Sequence, residues 1–520
     1  MVGRNFRKLL RDAALYATSL TLGNGCLSTS EAKENRINDD QTRIEVPSKL
    51  EDFVHNNIDR WIETYHKPHI TGMCISKQKT SDEMMPCAEL MADMLRNAGV
   101  QNVKILREGE SYPSVYGEIK SPNKNVPTLL IGGHYDTQPA VEALWTITKP
   151  FEPKIIIKDG KRELCGRGSS DDGQALTHLD AIEAYVKTGT PLPINIKFLL
   201  EGGEEKGSEE MDKLIEKYKD LLKTDVVLIT DSGNIRPSVP AITYRSRGLV
   251  AMYINVKTAE NDPHSGDGGS VLCNANTALT WILSGLIEPK TQQCLLPRFY
   301  DDVQKPSEAE TEHIKSLEYD LNGFMDTYKI KHIIPKNVEE VKSAMWTQPT
   351  SEIHAIYRKK DKEKKVVPNE DGNKTTSEAE AYFTMRLVPN QDPNKIAEIA
   401  TREIYQRAKQ TCLAPDQIRI NVISRDYPAS ADTENVYVKA RSRALSMIFG
   451  IQPDIVPVGG TEPIVGFYQG ILKAPVVYDS ADTMDDKAHG NDECFSIEKS
   501  LVPMVLTNIV TYQLLLNTTK

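Results

Sequence analysis

Acidic and histidine-bearing motifs stand at the C-terminal ends of apolar, strand-like runs along this chain. Thr128-Leu-Leu-Ile131 ends in Gly132-Gly-His134-Tyr-Asp136, and the run from Ile194 to Leu200 ends in Glu201-Gly-Gly-Glu204-Glu205. Val226-Val-Leu-Ile229 ends at Asp231, and Val476-Val477-Tyr478 leads through a polar loop to His489. Between the first two lies Gly166-Arg-Gly-Ser-Ser-Asp171-Asp172-Gly173, followed by a helical pattern. Open α/β sheets gather ligands and reactive groups outside the carboxyl ends of their strands, so these side chains are placed to converge. Carboxylates and imidazoles without thiolates make a borderline donor set suited to Zn²⁺ or Mn²⁺.

Each motif also has a plainer reading. In His134-x-Asp136 the two side chains fall on one side of an extended chain, so the carboxylate can accept from the imidazole and fix its metal-binding tautomer. A surface histidine gives the same spacing. Asp171-Asp172 precedes a helix with the apolar face Leu176, Leu179, Ile182 and Val186, where acidic residues serve equally as caps. Glu204-Glu205 would repel each other at a strand end unless metal or protons compensate, or unless the turn is solvated.

The elements that must position these residues suggest two domains, since 520 residues exceed what one hydrophobic core usually supports. Ser48-Lys-Leu-Glu51 reads as a capping box opening a helix with Leu50, Phe53, Val54, Ile58, Trp61 and Ile62 on one face. A second helix, Met84 to Asn97, stops at Gly99 before a strand, Val103 to Leu106. Strand and helix then alternate to about Ile242, which predicts a mostly parallel sheet with helices on both faces. Near Tyr244 the pattern changes to strand (Leu249 to Val256), helix (Asn276 to Leu286) and a long polar and helical insertion containing the charge run Lys359 to Lys365. A second strand and helix, Ala381 to Leu387 and Pro393 to Ala408, precede the strand Gln417 to Ser424. This predicts a small two-layer α+β domain, residues 244–432, inserted into an α/β domain made of 47–243 and 433–520.

A net charge of -10 and a pI near 5.6 leave no electrostatic footprint for nucleic acid. No run of eighteen or more apolar residues predicts a transmembrane segment. In residues 1–46, Arg4, Arg7, Lys8 and Arg11 precede the apolar Ala13 to Leu22 and then Gly23-Asn-Gly-Cys26, the order of an export signal, although Arg11-Asp12 interrupts it. Ser28 to Thr42 reads as unstructured, and the compartment stays open between cytoplasmic and exported. The eight cysteines are scattered without a C-x-x-C pair, which predicts small buried side chains rather than a disulfide framework.

The combined motifs resemble the M20 family of metallopeptidases, and within it the carnosinase-like dipeptidase branch. The similarity runs from about residue 47 to the C-terminus. It rests on His134-Tyr-Asp-Thr-Gln-Pro139, Trp145 with Pro150-Phe-Glu-Pro153, Gly166-Arg-Gly-Ser-Ser-Asp-Asp172, Glu201-Gly-Gly-Glu-Glu205, and Arg247-Gly248 with Pro263-His-Ser-Gly266. Phe299-Tyr-Asp-Asp-Val303, Arg386-Leu-Val-Pro-Asn390, Gly459-Gly-Thr461 and His489-Gly-Asn-Asp-Glu493 follow in family order.

The resemblance implies two divalent ions per subunit, Zn²⁺ or Mn²⁺, with Asp171 bridging, His134 and Asp231 completing one ligand set, and Glu205 and His489 the other. It implies Glu204 as general base and then acid, and Asp136 as the residue that orients His134. It further implies a homodimer through the inserted lid domain, with His264 reaching the partner's site to polarise the scissile carbonyl. Arg386 would grip the substrate carboxylate, and Thr461 would stand at a substrate-contacting position. The plainer alternatives are that Arg386 is a salt-bridge partner and His264 a loop residue. The implied substrate is a dipeptide or short peptide with a free C-terminus. The alternatives are an N-acyl-amino-acid amidohydrolase of the same family and a non-catalytic peptide-binding relative. Four departures bear on substrate identity: no lysine follows Asp172, the loop after His264 is one residue short, Val458 replaces a common glutamate, and Asp492 replaces a frequent asparagine.

Overall fold

The computed structural model describes residues 45–234, 236, 239–357, 373–480 and 486–519. The charge run at Lys359 and the leader-like segment therefore lie outside the described residues. In chain order the strands are β1 (Gln101–Leu106), β2 (Ser114–Ile119), β3 (Thr128–His134), β4 (Lys154–Lys158), β5 (Lys161–Cys165), β6 (Asn195–Glu201), β7 (Val226–Thr230) and β8 (Ala241–Ser246). They continue as β9 (Gly248–Lys257), β10 (Thr350–Tyr357), β11 (Glu378–Leu387), β12 (Ile418–Asp426), β13 (Ala429–Ser430), β14 (Asp454–Pro457), β15 (Val476–Ser480) and β16 (Cys494–Ser496).

Nine strands form the large sheet, in the order β1-β2-β6-β3-β7-β15-β8-β13 with β14 also on β8. Its centre, β6-β3-β7-β15, is parallel, while β1, β2, β8 and β13 join antiparallel at the flanks. The central strands are near-continuous apolar runs because helices cover both faces. On one face lie α1 (Ser48–Trp61), α2 (Met85–Ala98), α3 (Leu176–Thr188), α6 (Val436–Phe449) and α7 (Val502–Leu515). The apolar stretch Ile497–Thr518, which contains α7, is long enough to cross a membrane, yet 72% of it is buried inside the fold. It is a core helix here.

Local expectations met varied outcomes. Gly99 closes α2 in the left-handed conformation (φ 97°), as the sequence predicts. The capping box at Ser48 does not form, because Pro47 occupies the cap position and no side chain caps the first turn. The inserted domain is a four-stranded antiparallel sheet, β10-β11-β9-β12, backed by α4 (Ala275–Ser284) and α5 (Pro393–Ala408) around Met252, Phe383 and Ile404. Its edge strand β10 sits inside the insertion expected to be polar and helical. The insertion's helices Glu308–Ser316 and Val338–Trp346 pack on the large domain, with Ile314, Leu317 and Trp346 against Ala241 and Val456.

The cysteine expectation is wrong. Cys74–Cys87, Cys165–Cys494 and Cys273–Cys412 are disulfides, and Cys294 is a buried free thiol. Cys165 and Cys494, 329 residues apart, are joined by a sheet register that sequence spacing does not reveal. Cys165 and Cys494 face each other in a third sheet, β16-β5-β4, which periodicity did not predict.

Candidate metal centre and active site

The parallel register of β3, β6 and β7, with β15 beside β7, brings the acidic motifs to one edge. His134 ends β3 opposite Glu201 of β6, and Asp231 follows β7. Two groups of donors lie there with their ligand atoms mutually within 4.8 Å: His134, Asp171 and Asp231, and Asp171, Glu205 and His489. Asp171 belongs to both. His134 Nε2 lies 3.2 Å from Asp231 Oδ2, and His489 Nε2 lies 3.0 Å from Asp171 Oδ2 and 3.1 Å from Glu205 Oε1. All five donors are oxygen or nitrogen, a set that both Zn²⁺ and Mn²⁺ accept.

Charge states follow from burial opposed by neighbours. Burial would push the His134 imidazolium down, but Asp231, Asp136 and Glu204 outweigh it and hold it well above its ordinary value. Burial likewise opposes charge on His489, yet Asp171 and Glu205 raise it to about 11. Asp171, despite its burial, is held at about 2 by hydrogen bonding to His489 and by the His489 and His134 charges. So many carboxylates around two imidazoles form a focus of negative potential that divalent cations would relieve.

Glu204 is pushed well above the carboxylate range, by burial first, with Asp231, Glu205 and Asp136 adding repulsion that outweighs the pull of His134. A glutamate so displaced holds a proton more readily than a free carboxylate, a property suited to proton transfer. Its backbone is fixed by Asp136, whose carboxylate accepts from the N–H of Glu204 and of Glu205, each at 3.1 Å. His134 Nδ1 is instead 2.9 Å from the Asp136 carbonyl oxygen and 3.5 Å from its carboxylate. The carbonyl is thus the nearer hydrogen-bond acceptor, and the carboxylate is a longer contact that also favours the protonated ring. Asp136 therefore contacts His134 most closely through its backbone carbonyl, whereas the sequence pointed to its side chain.

The cleft above this edge encloses about 890 Å³ and is lined by Glu204, Glu205 and His489 on one side and Arg386, Asp426 and Thr461 on the other. Arg386 extends from β11 and donates to Thr461 Oγ1 at 2.5 Å. It makes no ion pair within 4 Å among the described residues, although Asp426 acts on it through charge. His264 is not part of this convergence: it is exposed at the lid surface and caps a short turn by accepting from Gly266 N at 3.1 Å.

Several contributors escaped the sequence reading. Glu462, buried beside Glu201, Glu204 and Asp231, has an Oε1 without a hydrogen-bond partner among the described residues. Burial and then repulsion from Glu204 and Asp231 hold it well above the carboxylate range. His69 Nε2 bonds Asp172 Oδ2 at 2.6 Å, and Gln138 donates to Glu205 while Lys77 bonds Gln138 at 2.8 Å. Tyr478 donates to the Asp231 carbonyl at 2.7 Å. Gln138 and Glu462 adjoin motifs already noted, whereas His69 and Lys77 carried no sequence signal. Asp492 accepts from Thr146 N (2.7 Å), Thr146 Oγ1 (2.6 Å) and Ile147 N (2.9 Å), an acceptor-only task that suits a carboxylate.

An α/β sheet whose strand ends carry two donor sets sharing one aspartate, under an inserted sheet domain, defines a metallopeptidase architecture. Residues 130–507 match Peptidase family M20/M25/M40, and the chain belongs to that family: it is a metallopeptidase. It is 29% identical over 429 residues to the Beta-Ala-His dipeptidase of Homo sapiens, covering 79% of this chain and 81% of that protein. To the Cys-Gly metallodipeptidase DUG1 of Saccharomyces cerevisiae it is 26% identical over 443 residues, covering 81% and 88%. The solved structure of the Saccharomyces cerevisiae di-peptidase Dug1p superposes with a TM-score of 0.78 at 22% identity over 91% of this chain and 99% of that one. Human carnosine dipeptidase 1 does so with a TM-score of 0.74 at 25% identity, over 90% and 98%.

Proposed function

We propose that this metallopeptidase is a two-metal dipeptidase that requires a free C-terminal carboxylate on its substrate. The observation that carries the reading is the pair of donor sets sharing Asp171, two of whose members, Glu205 and His489, line one cleft with Arg386. His134, Asp171 and Asp231 would hold one divalent ion, and Asp171, Glu205 and His489 the other. Bound there, two such ions would lower the pKa of water and stabilise negative charge on the scissile carbonyl oxygen.

The chain's own groups would do the rest. Glu204 takes a proton from the attacking water and returns it to the leaving amine, for which its raised pKa suits it. Asp136 keeps that carboxylate in place through two backbone N–H groups. Arg386, steadied by Thr461, grips the substrate carboxylate with its planar fork, so the scissile bond falls one residue from the C-terminus. His264 lies on the outer surface of the lid, consistent with service to a partner subunit's site in a homodimer rather than to its own. The names of the relatives support dipeptides as the substrate class. Three disulfides support maturation in an oxidising compartment.

The test is a panel of dipeptides and N-acyl-amino acids, offered to protein stripped by a chelator and then reloaded with Zn²⁺ or Mn²⁺. Dipeptide turnover that vanishes on stripping and returns on reloading is expected. Faster cleavage of acyl-amino acids would favour the amidohydrolase alternative. Tight peptide binding with no turnover at saturating metal would make the chain a binding protein.

A further inference from the structure

Asp171 and His489 approach within 3.0 Å although they lie 318 residues apart, on two loops outside regular structure. One side chain joins these loops. Glu493 is fully buried, and its carboxylate accepts five hydrogen bonds from the segment that carries Asp171. Oε2 accepts from Arg167 Nη1 at 2.8 Å and Gly168 N at 3.0 Å. Oε1 accepts from Ser170 N at 3.0 Å, Ser170 Oγ at 3.2 Å and Asp171 N at 3.3 Å. The Glu493 carbonyl also accepts from Gly166 N at 3.0 Å.

Arg167 completes the connection. Its Nη2 donates to the carbonyls of His489 at 3.2 Å and Gly490 at 2.8 Å, while its guanidinium lies over the Trp145 ring, 5.3 Å from the centroid. The His489 loop needs such external bonds. Lys487, His489 and Asp492 all have positive φ (59°, 61° and 57°), a conformation that side-chain-bearing residues adopt only when their surroundings impose it. Directly beyond Glu493, the Cys165–Cys494 disulfide closes the same two segments covalently.

We propose that Glu493, acting with Arg167, is a positioning residue that clasps the Asp171 and His489 loops in the one register in which both side chains can serve the same ion. The proposal rests on the reading of Asp171 and His489 as metal ligands. Only an acceptor-only group fits, because five N–H and O–H donors converge on two oxygens. Glutamine would turn an amide NH₂ against N–H donors. The clasp touches neither substrate nor metal.

The experiment compares wild type, Glu493→Gln and Arg167→Lys in two measurements. The first is stepwise Zn²⁺ affinity by chelator competition. Groups that orient ligands typically control metal affinity by about 10–100-fold, so Glu493→Gln should weaken one of the two binding steps by about that factor. The second is amide hydrogen exchange in metal-free protein. Glu493→Gln should accelerate exchange at both 167–171 and 487–492, whereas Arg167→Lys, which keeps the charge facing Glu493 but loses the fork, should accelerate chiefly 487–492. Wild-type affinity and unchanged exchange in either folded variant would overturn the clasp. If wild type itself bound fewer than two ions, the ligand reading would fall, and exchange in the metal-free variants would still decide the clasp. Should Glu493→Gln not fold, Arg167→Lys alone decides it.

Discussion

Replacing Asp136 by asparagine separates two roles that one residue performs. Its carbonyl oxygen, 2.9 Å from His134 Nδ1, belongs to the backbone and survives the change. Its carboxylate, which holds the N–H groups of Glu204 and Glu205 at 3.1 Å each, does not. Asparagine keeps one acceptor and turns an NH₂ toward the other N–H. A hydrogen bond to an ionised acceptor contributes about 1.5–3 kcal/mol, and a buried N–H left unpaired costs about 1–3 kcal/mol. Allowing for partial relaxation, about 2–4 kcal/mol falls on the Glu204-Glu205 turn. If that cost is felt as misplacement of Glu204, kcat drops by about 30- to 1000-fold, at a factor of ten per 1.36 kcal/mol. The assay is dipeptide turnover at saturating Zn²⁺ or Mn²⁺, run beside a metal titration. Turnover should fall while the ion held by His134 and Asp231 keeps its affinity within a few-fold. Loss of that ion with unchanged kcat in the fully loaded enzyme would refute the reasoning and return the carboxylate to orienting the imidazole.

Glu204→Gln should retain two ions per subunit and lose about 10²–10⁴ in turnover, the usual contribution of general acid-base catalysis; loss of metal would make Glu204 a ligand instead. Arg386→Lys should erode the preference for free-acid dipeptides over their C-terminal amides, read as a ratio of kcat/KM values; an unchanged ratio in folded protein would remove carboxylate recognition from this residue. His264→Ala should depress turnover with little effect on Tm, and mixed dimers with Glu204→Gln subunits should recover activity; verified hybrids without recovery would count against a shared site. Burial raises Asp426 from 3.8 to about 6, so the folded state retains its proton across that window, and its contribution to stability falls as pH rises from about 4 to about 6. Asp426→Asn should abolish that fall, by at most about 3 kcal/mol at 1.36 kcal/mol per pKa unit, seen as a Tm difference that shifts in the variant's favour between those pH values and stays level above them.

What the sequence determined by itself is what local periodicity and strand-end chemistry encode. The apolar runs Thr128–Ile131, Ile194–Leu200 and Val226–Ile229 could only be buried strands with their polar ends clustered, and α2 had to stop at Gly99. His134, Asp171, Glu205, Asp231 and His489 stood out because each followed such a run or motif, and all five converge. Tertiary structure alone decided which atoms of those residues meet. Asp136 serves His134 by its carbonyl and the Glu204 turn by its carboxylate, a division invisible in the string His-x-Asp. Cys165 finds Cys494, and Glu493 finds Arg167 and Ser170, across more than 300 residues. Strand β10 was hidden in a segment read as polar and helical because its burial is one-sided, and that the segment's helices dock on the large domain depends on distant elements. The physical reason is common to all of these: hydrophobic period is a property of neighbours along the chain, whereas a pairing across a sheet register or between two loops exists only once the fold has closed the distance.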